Sequence, residues 1–192
     1  MTDQLTVRLV TPKGKPVPWD VVYTVDQRNF PFWSQRRSAG PGELAISSPK
    51  AQPFGICVLW EVPDFGKVIV TADNEGAGYR LGEQQNVDFR LEAAKSKVAK
   101  TRERLDALSS SGYAFDARLV SKVEQAERAL QAALASQGEA AAVSADEALT
   151  VAFWAAEEIE MAKARADIAA MSDERRRSLL FGSPYFNPDN TD

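Results

Sequence analysis

Histidine is absent from the 192 residues, and cysteine occurs once, as Cys57. The first absence removes the commonest general base and the commonest transition-metal ligand. With a single thiol beside it, too few donors remain for a zinc site. A lone cysteine forbids an intrachain disulfide, and Cys57 lies in the apolar run FGICVLWEV, where a thiol is expected to pack as a small hydrophobe. Long hydrophobic runs are missing too: nothing approaches the roughly 18 apolar residues of a membrane span, so no membrane partner is expected. The start, MTDQLTVRLV, has neither the basic n-region nor the apolar run of a secretory leader, which makes cytoplasmic the default location. Charge of one sign is not in excess, since 23 Lys+Arg against 27 Asp+Glu leave a formal net charge of -4. Such a chain has no field that attracts phosphate backbones, and nucleic acid is not expected as a partner. The glycines follow neither G-x-G-x-x-G nor P-loop spacing. No metal and no cofactor is expected.

What is present falls into two halves with different periods. From residue 5 to about 91 the pattern alternates and is broken by turn residues, giving about six short strands: LTVRLV, WDVVYTV (19–25), ELAIS (43–47), FGICVLWEV (54–62), KVIVTA (67–72) and NVDFRL (86–91). No helical stretch separates them, which favours an antiparallel β-sandwich over a parallel sheet. In this frame Trp19, Val21, Tyr23 and Val25 share one face and Phe54, Ile56, Val58, Trp60 and Val62 another, and both faces are expected in the core. After residue 91 the spacing becomes helical. Leu91, Ala94, Val98, Leu105 and Leu108 form a stripe that stops at the Ser run and Gly112. A second helix is expected over about 116 to 136, with Asp116 as N-cap and Gly138 as the stop. Ser144 and Glu147 fit a capping box for a third, reaching about 171 with Leu149, Ala152, Ala156 and Ile159 facing inward. The expected fold is therefore α+β, an antiparallel β-sandwich over 1–91 followed by a three-helix hairpin or bundle over 92–178, with a tail over 179–192. Ala fills many inward helical positions, so each helix buries little apolar area and leans on the β part or on a partner.

Several constellations invite chemistry. Asp20 and Asp26 share the stretch PWDVVYTVDQ, but six residues of strand hold them roughly 20 Å apart, beyond the 5 to 9.5 Å of a glycosidase pair. Glu157, Glu158 and Glu160 cluster on the third helix without a histidine, and Glu160 stands three residues before Lys163, the pattern of a solvated, weakly ion-paired face. The triplet Arg175 to Arg177 suits a helix C-terminus. TADNEGAGYR supplies oxygen ligands, yet the twelfth position from Asp73 is Gln84 rather than glutamate, so a tight loop is expected instead of an EF-hand. RNFPFWSQRR is the aromatic-rich loop. Phe30, Phe32 and Trp33 can stack on sugar faces while Gln35 and Arg36 bond to hydroxyls, or the rings can cover the end of the sandwich or meet the helices.

Three stretches, VPDFGKVIVTADNEGAGYR, AFWAAEEIEMAKARADI and RRRSLLFGSPYF, resemble the N-terminal accessory region that precedes the catalytic barrel in some bacterial family-ten glycoside hydrolases, the endo-xylanase family. The last looks like an Arg-rich helix end running into a first barrel strand. The family's acid/base strand reads Trp-Asp-Val-x-Asn-Glu, whereas WDVVYT has Tyr23 and Thr24 where Asn and Glu would stand, and no nucleophile motif of the family occurs. The resemblance thus implies a non-catalytic module, not an enzyme by itself, that binds a xylan-like plant cell-wall polysaccharide or docks on a catalytic glycoside hydrolase barrel. It also implies work outside the cell. The reading from another class is a structural or protein-interaction module without a glycan ligand.

Overall fold

The computed structural model describes residues 4–47, 52–82 and 86–172. Among the described residues eight strands precede three helices: β1 (Leu5–Arg8), β2 (Val22–Val25), β3 (Pro31–Phe32), β4 (Gln35–Gly40), β5 (Glu43–Ser47), β6 (Gly55–Val62), β7 (Gly66–Ala72), β8 (Asn86–Asp88), then α1 (Phe89–Ser110), α2 (Ala117–Ala135) and α3 (Gly138–Ala170). The protein is α+β. One four-stranded sheet has the order β4-β5-β1-β8 and the other β3-β2-β6-β7. The second is wholly antiparallel, while in the first β8 runs parallel to β1, pairing Val87 with Val7. That parallel pair departs from the all-antiparallel expectation. It arises because the chain returns to β1 only after β6 and β7, and β8 lasts three residues before its Asp88 caps α1 by accepting from Arg90 N at 3.0 Å.

β6 is the spine of its sheet. Its β-branched and aromatic residues alternate as expected, with Phe54, Ile56, Val58, Trp60 and Val62 all buried. The expectation for residues 19–25 holds for Val25, which is buried, and fails for Trp19, Val21 and Tyr23. Trp19–Val21 form a single 3-10 turn after Pro18, and β2 begins only at Val22, in register with Val58. Because the side-chain period is two, that register turns Val22 and Thr24 into the core and puts Tyr23 on the outer face. Trp19 is left 58% exposed. Thr24 brings a hydroxyl into the core and satisfies it on the Phe32 carbonyl at 3.0 Å.

The main core is continuous through both sheets and the helices, joining Leu5, Val7, Ile46, Ile56 and Trp60 to Phe89, Ala94, Val98, Leu130 and Leu149. The Trp60 and Phe89 rings meet at 5.1 Å. A second, smaller cluster of Leu105, Leu108, Leu119, Val123 and Ile159 closes the far end of the helices. Asp116 caps α2 through Leu119 N at 2.7 Å, as its position suggests. The capping box at Ser144 does not form, since α3 begins at Gly138 and Ser144 lies inside it. Gly138 has φ +61 and opens α3 instead of terminating α2. On α3, Ala155 is fully buried and Ala156 only partly so. The Arg175 to Arg177 triplet, Gln84 and the tail from 179 lie outside the described residues.

Candidate functional site

The aromatic segment is not a loop. β3 forms the edge of one sheet and β4 the edge of the other, and Trp33 and Ser34 join them. Strand alternation then divides the five residues singled out. Phe32 turns inward and meets Phe54 edge-on at 6.3 Å. Arg36 donates to the Val22 carbonyl and so ties the two sheets together. Phe30, Trp33 and Gln35 stay open to solvent, with Phe30 at 65% and Trp33 at 69% exposure. An indole left this open contributes little to the fold.

Sequence reasoning missed the surface beside Trp33. The pairs Thr24–Phe32 and Tyr23–Cys57 fix the register, and one residue along from Thr24 and Phe32 stand Tyr23 and Trp33. The same outer face carries Cys57 opposite Thr71 and Leu59 opposite Ile69, both aliphatic side chains exposed. The Cys57 thiol lies 3.2 Å from the Thr71 hydroxyl and also bonds to Tyr23. Burial pushes the thiol pKa up, against the lowering effect of its Thr71 and Tyr23 bonds, so Cys57 stays protonated near neutrality. Burial, with Cys57 beside it, likewise raises the Tyr23 phenol.

At one end the face runs into a pocket of 180 Å³ lined by Val25, Asp26, Asn29, Phe54, Asp73 and Lys100. Two turns wall it. Asp26 accepts from Arg28 N at 2.8 Å and Phe30 N at 3.0 Å, which closes the turn after β2 and holds Asn29 at φ +62. Asp73 accepts from Gly76 N at 3.2 Å and pairs with Lys100, while Gly78 N returns to the Asp73 carbonyl at 2.8 Å. This is the tight loop expected at TADNEGAGYR. Each carboxylate in the pocket is held by bonds of its own, so the arrangement suits hydrogen bonding to a ligand better than acid/base chemistry. Asp20 belongs to the 3-10 turn and Asp26 to the pocket wall, two separate structural roles.

The acidic cluster of α3 is dispersed into pairs between helices. Glu158 pairs with Lys122 and Glu160 binds Arg104 through two bonds of 2.6 and 3.0 Å. Lys163, read as the partner of Glu160, pairs instead with Asp167 at 2.6 Å. Among the described residues no group of three or more acidic or thiol side chains is placed to hold a metal ion, and no helix is long and apolar enough to cross a membrane. Comparison with protein-family models, with curated proteins and with solved structures finds no match to this chain.

Proposed function

We propose that the chain is a non-catalytic accessory module of a xylanase-like glycoside hydrolase, whose two sheets form a sandwich of carbohydrate-binding kind. It holds plant cell-wall polysaccharide against the outer face of β3-β2-β6-β7. The observation that supports this reading is the open Trp33 ring, 69% exposed just past the end of β3, near the β2–β3 turn that walls a polar pocket. A pyranose has an apolar face that matches an aromatic ring and hydroxyls that match Asn29, Asp26 and Lys100. Bond cleavage belongs to a separate catalytic barrel, and the module raises the local concentration of substrate there. Native affinity electrophoresis tests this. Soluble xylan or glucan in the gel should retard the protein, and Trp33→Ala should weaken retention at least tenfold, about 1.4 kcal/mol. Mobility unaffected by every glycan, or retention indifferent to Trp33→Ala, would refute it.

The exposed Leu59–Ile69 pair favours a second reading, because aliphatic side chains pack on protein better than on sugar. On that reading the same face docks on the catalytic barrel or another protein. Leu59→Glu would then abolish co-elution with the barrel and leave glycan retention unchanged.

A further inference from the structure

Helix α3 is apolar on two opposite sides. One side, with Ala148, Leu149, Ala152, Ala155 and Ile159, is buried against α1 and α2. The other carries Trp154, Met161 and Ile168, each between 42% and 50% exposed. These three follow at intervals of seven, which drifts only about 20° per step around a helix, so they form one outward stripe about 21 Å long. Phe65, from the turn between β6 and β7, meets the Trp154 ring at 4.9 Å and fixes it while leaving much of it open. Beside Met161, a groove of 300 Å³ lined by Leu119, Ala162 and Arg165 widens the surface.

The charges along the stripe select the occupant. Between 157 and 168 the helix carries six charged residues, of which Glu158, Glu160, Lys163 and Asp167 have ion-pair partners within the chain. Glu157 and Arg165 have no salt bridge among the described residues; on α1, burial lowers the pKa of Lys97 and the Glu157 charge only partly offsets it. They stand four residues before and four after Met161. Trp154 and Ile168 stand seven before and seven after. We propose that α3 pairs antiparallel with α3 of a second copy about a two-fold axis at Met161, making the protein a homodimer. In that register Met161 meets Met161, Trp154 meets the second copy's Ile168, and Glu157 meets the second copy's Arg165, twice over by symmetry. The seam is self-complementary in both apolarity and charge, which an interface between copies requires. It is short compared with standard interfaces, so the dimer is weak and concentration-dependent. This inference does not rest on glycan binding, though a dimer would present two such faces to one polymer.

Sedimentation velocity on the full chain, from micromolar to millimolar, tests it. The unaltered protein should pass from monomer to dimer over that range, and Met161→Glu should remain monomeric throughout. Glu157→Arg or Arg165→Glu, each placing like charges together twice, should weaken the dimer about tenfold or more. The double variant carrying both exchanges should recover it. A chain monomeric at every concentration, or a dimer indifferent to these exposed substitutions, overturns the proposal. Single exchanges that weaken the dimer without recovery in the double variant overturn the antiparallel register.

Discussion

Asp146 makes stability depend on pH in a direction opposite to that of most carboxylates. It lies on α3 with its side chain only 14% exposed, and its Oδ1 stands 3.3 Å from Arg90 Nε. Arg90 is already committed, since its Nη2 donates to the Val10 carbonyl at 2.9 Å and the Thr11 carbonyl at 2.7 Å. The guanidinium therefore offers Asp146 attraction without a well-formed hydrogen bond, and Oδ1 has no hydrogen-bond partner among the described residues. Burial pushes the carboxyl from 3.8 up to about 6, against the lowering pull of Arg90 and with a small push from Asp88. Between these values the folded protein binds the proton that the unfolded chain has released. Stability from this group is thus greatest below about pH 4 and is lost as the pH rises through 6. A difference of that size corresponds to at most about 3 kcal/mol, less where water screens the charge. Asp146→Asn removes the titration. Urea unfolding followed by Trp fluorescence at pH 4, 5, 6 and 7 should show the variant gaining on the unaltered protein by 1 to 3 kcal/mol, an order-of-magnitude range, between the ends of the series. A stability difference that stays constant with pH would refute the reasoning.

Three further outcomes are expected from unfolding curves at neutral pH. Trp60→Ala, which empties a fully buried site against Phe89, should cost about 3–5 kcal/mol. Asp116→Ala removes the bond to Leu119 N and should cost about 1 kcal/mol, mostly as lost helicity of α2 by circular dichroism. Gly78→Ala should destabilise by more than about 1 kcal/mol, since Gly78 sits at φ +75 and a Cβ there would approach the Pro53 Cβ to 2.7 Å. A neutral result at Gly78 would mean that the loop at Asp73 can rearrange.

The sequence by itself determined the long, strongly periodic elements, because they depend on local spacing, but not the 3-10 turn at Trp19–Val21 or the strands β3 and β4 in the aromatic segment. Alternation over 54–62 and the 3-4 stripes of the helices are read directly, and both β6 and α2 begin and end within a residue or two of the expected places. The capping role of Asp116 was legible for the same reason, since cap and target are three residues apart. Tertiary structure decided what faces which way. Val21, Val22 and Val25 are interchangeable as strand formers, so only pairing with Val58 chose the phase that buries Val22 and turns Tyr23 outward. The same non-local choice split RNFPFWSQRR between two sheet edges, buried part of Phe32, engaged Arg36 and left Trp33 open. Parallel pairing of β1 with β8 joins residues about 80 apart, and the partners of Glu160 and Lys163 depend on how three helices lie together. Local periodicity fixes which side chains can share a face; which faces meet is settled by the packing of distant segments, where the free energy of burial is gained.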